Sequence, residues 1–113
     1  TAIRRAVEAW PESARVALVG AGGLSHWVGM PGMGRINVDF DRWFLDRLAA
    51  GRADEVTTLT DAEVDRAGNG AHEIRSWLTV AGAMPGRRAR VLAYEPVTAW
   101  VTGMGVITYG DEE

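Results

Sequence analysis

The sequence predicts an α/β fold, a sheet flanked by helices, and three observations carry that prediction. The run Arg15-Val16-Ala17-Leu18-Val19-Gly20 is short, apolar and β-branched, as a buried strand is, and it leads into a glycine-rich loop. Apolar residues then recur at helical spacing over residues 39–50 and 70–83. Two closing segments, 89–94 and 100–109, are rich enough in Val, Ile, Thr and Tyr to be strands.

Each element has its own local reason. Ile3, Val7 and Trp10 share one face of a helix over residues 2–10 that Pro11 stops. The loop after the strand at 15–20 is too long and irregular for a simple turn, and loops of that kind tend to be functional. Asp39 is the expected N-cap of a helix through Ala50, with Phe40, Trp43, Phe44 and Leu48 inward and Gly51 as its stop. Thr60 and Glu63 have capping-box spacing for a short helix ending near Gly68. In the helix from Gly70 to Ala83, the residues Ile74, Trp77, Leu78 and Ala81 form the buried stripe. Trp10, Trp43 and Trp77 all fall on apolar helical faces and are expected in the core.

Composition excludes several classes. At 113 residues the chain forms one domain with a modest core, or the C-terminal part of a larger catalytic domain. The net charge of −3 is mild, and the twelve arginines, with no lysine, cluster only in Arg87-Arg88-Ala89-Arg90. That cluster reads as a solvated turn, whereas a nucleic-acid footprint needs a broader basic face. No apolar run approaches a membrane span and no signal peptide is visible. The absence of cysteine fits a reducing compartment, so a cytoplasmic location is expected. Abundant Arg, Ala and Gly fit a GC-rich bacterial gene.

Gly20-Ala21-Gly22-Gly23-Leu24-Ser25 superficially resembles a dinucleotide fingerprint, but that motif needs a helix immediately after it. Residues 26–34 hold three glycines and a proline and cannot sustain one. The informative residue here is His26, presented by a glycine-rich turn after a strand, where α/β proteins place chemistry. A satisfied structural histidine is the competing reading. Glu73 is similarly open. It compensates the helix dipole, or it serves as a metal ligand on the flank of the Trp77 stripe, where a carboxylate near apolar surface needs a cation. His72 shares a face with Arg75 and Ser76 and is expected towards water. Trp27 lines a pocket or a subunit contact, and Met30 and Met33 belong to a lid or an interface.

Four segments bring in a resemblance. Gly22-Gly23-Leu24-Ser25-His26 is similar to the G-G-L-S-H segment of the class III extradiol ring-cleaving dioxygenases, which include the protocatechuate 4,5-dioxygenase and 2,3-dihydroxyphenylpropionate 1,2-dioxygenase types. Asn37-Val38-Asp39-Phe40-Asp41-Arg42-Trp43-Phe44-Leu45-Asp46, Gly70 to Leu78 and Trp100-Val101-Thr102-Gly103-Met104-Gly105 resemble further family segments, in family order. The resemblance implies a non-haem Fe(II) site of two histidines and one carboxylate, where a catechol and O2 bind side by side. Glu73 matches the metal-binding carboxylate, and His26 matches the acid–base histidine that is not a ligand. Gly23, Ser25 and Trp100 fall at substrate-binding positions. Trp100 stands where protocatechuate-type chains carry serine, which favours a catechol without a ring-attached carboxylate.

The two histidine ligands of the family belong to an amino-terminal half that has no counterpart here. These 113 residues therefore resemble the final part of a catalytic subunit, expected inactive alone and completed by further chain or by partners in a homo- or hetero-oligomer. The alternative is a non-catalytic binding or assembly module with a dioxygenase-like fold. A relative using zinc is a further variant, since His and carboxylate ligands suit both metals.

Overall fold

A computed structural model describes residues 1–110 and shows a mixed α/β arrangement. Its centre is α2 (Val38–Ala49), which buries Asp41, Phe44, Leu45 and Leu48 on one face. Asn37, rather than Asp39, is its N-cap, and the Asn37 side chain accepts the Phe40 N–H at 3.0 Å. Both residues are good caps by type, so composition alone did not separate them. Helix α3 (Ala53–Thr57) follows Gly51 and was not among the expected elements; it buries Val56. The expected capping box opens α4 (Asp61–Asp65), where Thr60 Oγ1 accepts the Glu63 N–H at 3.2 Å.

The helix expected from Gly70 begins instead as a 3₁₀ turn, Asn69–Glu73, and becomes α5 (Ile74–Ala83). Ile74, Trp77 and Ala81 are buried as predicted, and Leu78 packs against the core. Trp77 meets Phe44 edge-on, with ring centroids 5.8 Å apart, and Phe40 stacks on Phe44 at 6.5 Å. The Phe44–Trp77 contact joins α2 to α5, and burying each such side chain stabilises the fold by about 1.5–3 kcal/mol. Trp43 is partly buried against the same cluster.

The closing segments form an antiparallel pair, β1 (Arg90–Val97) and β2 (Thr102–Thr108), with Val97 opposite Thr102 and a bulge between Val91 and Ala93. Trp100 lies outside the strand, in a 3₁₀ turn over Thr98–Trp100. The chain then passes through Val101 in the left-handed region (φ 54°), a conformation that costs a β-branched residue about 1–2 kcal/mol.

Two further expectations fail. Residues 15–20 form no strand, because β1 and β2 pair with each other and no described strand lies beside that segment. It runs over α5 instead, one wall of an apolar trough of about 760 Å³ lined by Ile3, Val7, Leu18, Val80, Met104 and Val106, among others. Trp10 is 59% exposed and outside the core. Helix α1 (Ala2–Glu8) ends before it, since a residue ahead of proline disfavours the helical region. Arg4 ties α1 down by donating to the Ala83 carbonyl at the end of α5 at 3.0 Å. No helix among the described residues is long and apolar enough to cross a membrane.

These placements give opposite outcomes for two large aromatic truncations. Phe44→Ala empties a fully buried site and is expected to cost about 3–5 kcal/mol in urea unfolding. Trp10→Ala is expected to stay within about 0.5 kcal/mol.

Candidate functional site

Leu24 and Ser25 are fully buried and His26 nearly so although the segment belongs to a loop, so its backbone groups require partners. It finds them on two sides. Leu24 N–H donates to the Gly103 carbonyl at 2.9 Å and Gly103 N–H donates to the Ser25 carbonyl at 3.0 Å, while His26 forms an isolated antiparallel bridge with Thr102. The loop thus extends the edge of β2. On the other side, His26 N–H donates to the Ala67 carbonyl and Gly70 N–H donates to the His26 carbonyl, both at 3.0 Å. Gly70 is required sterically: a Cβ there would overlap the His26 ring.

The imidazole is thereby fixed. His26 Nδ1 lies 2.8 Å from the Leu24 carbonyl, which can only accept, so Nδ1 carries a proton, and in the neutral ring Nε2 presents its lone pair. Nε2 faces Glu73 Oε1 at 3.5 Å. Glu73 sits at the junction of the 3₁₀ turn and α5, and its other oxygen, Oε2, accepts the Gly23 N–H at 2.7 Å. Nothing caps a helix here: Glu73 makes no side-chain capping bond. Trp77 Nε1 donates to the Gly22 carbonyl at 3.0 Å, which holds the glycine loop against α5. The Glu73 side chain is 49% exposed and His26 only 11%, so the pair lies at the surface with its histidine recessed.

A buried carboxylate underlies this arrangement. Asp41, fully buried on α2, accepts the Ser25 N–H on Oδ1 at 2.8 Å. Its Oδ2 accepts the Ser25 hydroxyl at 2.8 Å and the Tyr94 hydroxyl at 2.6 Å. Ser25 Oγ in turn accepts the Asn37 N–H at 2.8 Å. Burial raises the Asp41 carboxyl above its ordinary value, opposed by the hydrogen bonds from Tyr94 and Ser25 and by the nearby His26. Burial, followed by the Asp41 hydrogen bond, raises the Tyr94 hydroxyl as well. Gly103 admits the carboxylate, because a Cβ at that position would strike Asp41 Oδ2.

The structure brings His26, Glu73 and Gly23 together. Ser25 is fully buried, with its hydroxyl engaged on both sides. Trp100 is 66% exposed at the end of its 3₁₀ turn. Trp27 is partly buried against Gly32 and Gly68, and Met30 and Met33 are exposed in the following turns. His72 is engaged rather than free: Nε2 lies 2.6 Å from Asp65 Oδ1, and Arg75 donates to Nδ1 at 2.6 Å.

Over residues 1–105 the chain matches the family described as the catalytic LigB subunit of aromatic ring-opening dioxygenase. It belongs to that family. Similar curated proteins include a 2,3-dihydroxyphenylpropionate/2,3-dihydroxicinnamic acid 1,2-dioxygenase of Azotobacter vinelandii, 35% identical over 65% of this chain and 25% of its own. A protein of the same description from Comamonas testosteroni is 31% identical over 79% of this chain and 29% of its own. A gallate dioxygenase of Pseudomonas putida is 39% identical over 74% of this chain and 24% of its own. The chain spans about a quarter of the length of these relatives.

A metal centre of the aromatic ring-opening dioxygenase family does not fit within these residues alone. Among the described residues no three His, Cys, Asp or Glu side chains converge. Glu73 offers one carboxylate, with one oxygen already accepting from Gly23. Asp41, Tyr94 and Gly70 were assigned no role from sequence. The available signal was an aspartate on an apolar helical stripe, at i−3 to Phe44 and i−7 to Leu48, where a charge has to be satisfied internally.

The raised Asp41 carboxyl has a pH consequence. Between the unfolded value near 3.8 and the higher folded value, the folded state binds the extra proton. Its contribution to stability is therefore full below 3.8 and is lost as pH rises through the folded value. Asp41→Asn is expected to remove that falling segment from a plot of unfolding free energy against pH.

Proposed function

We propose that this chain is the C-terminal part of an Fe(II)-dependent extradiol dioxygenase that opens a catechol-type ring with O2. In this reading His26 is the acid–base residue and Glu73 the carboxylate ligand, with the two histidine ligands in further chain. The observation that carries it is the His26–Glu73 pair: Nδ1–H committed to the Leu24 carbonyl, Nε2 open and 3.5 Å from a half-exposed carboxylate. Membership of the aromatic ring-opening dioxygenase family and relatives named as dioxygenases support the same reaction class.

The chemistry follows from which nitrogen is free. A catechol hydroxyl within reach of Nε2 transfers its proton there, leaving a catecholate and an imidazolium whose Nδ1–H is still held by the Leu24 carbonyl. Nε2, protonated beside the Glu73 carboxylate, is then the atom that returns the proton later in turnover. Gly23 contributes its N–H to Glu73, and the Ser25 side chain acts by positioning the loop.

In the complete protein reconstituted anaerobically with Fe(II), catechol-dependent oxygen uptake is expected to fall about 10²–10⁴-fold in His26→Ala, the range of a lost general acid–base. Glu73→Ala is expected to abolish it. Undiminished uptake in His26→Ala overturns the assignment. No uptake with any catechol, together with no retained iron, favours the non-catalytic module.

Trp100 is proposed to wall the aromatic pocket, on its exposure and its position two residues before Thr102, the bridge partner of His26. A catechol lacking a ring-attached carboxylate is then turned over faster than protocatechuate. Equal kcat/KM for the two substrates removes the basis for this role.

A further inference from the structure

His26 needs one ring orientation and one tautomer, and the Leu24 carbonyl supplies both. That carbonyl is half of the Leu24–Ser25 peptide, whose other half is the Ser25 N–H. A trans peptide is planar, with its C=O and N–H pointing in opposite directions, so fixing one fixes the other. The Ser25 N–H is held at 2.8 Å by Asp41 Oδ1, and the Leu24 carbonyl lies 2.8 Å from His26 Nδ1. The order is therefore carboxylate, peptide, imidazole, with all three groups buried.

We infer that Asp41 is the positioning residue of His26, acting through the Leu24–Ser25 peptide to hold the ring in its Nδ1–H tautomer with Nε2 free. The inference deepens the acid–base role proposed for His26 and rests on that reading for its catalytic meaning. Its physical content is independent of turnover.

The same neighbourhood shows why a carboxylate at this position acts on orientation and not merely on packing. Asp41 Oδ1 accepts the Ser25 N–H, while the two hydroxyls of Ser25 and Tyr94 converge on Oδ2. The hydroxyl bonds fix the carboxylate plane, and the remaining oxygen is aimed at the peptide. Gly103 and Gly70 leave room for the carboxylate and for the ring, so neither is displaced by a side chain. An anionic acceptor on the N–H also polarises the peptide and makes its carbonyl a stronger acceptor for Nδ1–H.

The test is nitrogen NMR of the 15N-histidine-labelled chain at alkaline pH, where the ring is neutral. The unsubstituted chain is expected to show a single His26 tautomer, protonated at Nδ1. A mixture or the Nε2–H form overturns the inference. Asp41→Ala frees the peptide and is expected to give mixed tautomers while the Trp77 indole resonance reports a folded core. An unchanged tautomer in that folded variant overturns the inference. Ser25→Ala deletes the hydroxyl but keeps the N–H, and is expected to retain the single tautomer; its loss means the hydroxyl, not the peptide, is the route. The unsubstituted chain and Ser25→Ala decide the matter if Asp41→Ala does not fold. None of these outcomes depends on activity, so loss of oxygen uptake in the complete protein and loss of the tautomer fail separately.

Discussion

The Asp41 carboxylate is the interaction on which the rest of the site depends. It lies with no exposed surface in the first turn of α2, and a buried charge without partners is among the most destabilising features a fold can contain. Three donors meet it, one backbone N–H and two hydroxyls. Its place near the start of α2 adds the favourable end of the helix dipole. Hydrophobic residues of the same volume would satisfy packing as well, and buried charges are seldom the most stabilising choice. What a carboxylate does that an apolar residue does not is to fix three separate elements in one mutual geometry: α2, the loop at 24–26 and β1 through Tyr94.

That geometry lets two groups far apart in sequence meet without a rigid sheet around them. His26 comes from a loop and Glu73 from the start of α5, and each is restrained by backbone groups of the other region. The Gly23 N–H holds Glu73, and the Gly70 N–H holds the His26 carbonyl. Each side of the pair thus positions the other. Close approach at Gly70 and Gly103 is the condition for it, which explains small residues at points where the ring and the carboxylate need the volume.

The sequence was most legible where periodicity and local chemistry agreed. The stripe Ile74, Trp77, Ala81 and the capping box at Thr60 appear as expected, because both depend on neighbours within a few residues. His26 and Glu73 were legible as separate candidates with open alternatives, and only the tertiary fold shows them 3.5 Å apart. Asp41 was hidden inside a matched segment because a helical aspartate is ordinarily a solvated one. Its meaning comes from Ser25 and Tyr94, at separations of 16 and 53 residues that no local pattern reveals. Trp10 was misjudged for the opposite reason: its spacing fitted the stripe, but the helix stops before reaching it.

Residues 15–20 carry the same lesson to the scale of the fold. Their pattern, apolar on both faces, is that of a strand covered on two sides, and such a pattern states a need without naming what meets it. Here one side rests on α5, where a Cβ at Gly20 would already press on the Ser76 carbonyl, and Val19 is left 81% exposed. Strand formation requires a neighbour with free backbone groups, and β1 and β2 are matched to each other along their paired edges. Under the reading proposed for the function, the relatives' additional length and the unpaired strand-like segment are two views of one requirement. The chain holds His26 and Glu73 together through its own hydrogen bonds, and the apolar trough runs past the same glycine loop at Gly22 and beside Trp77.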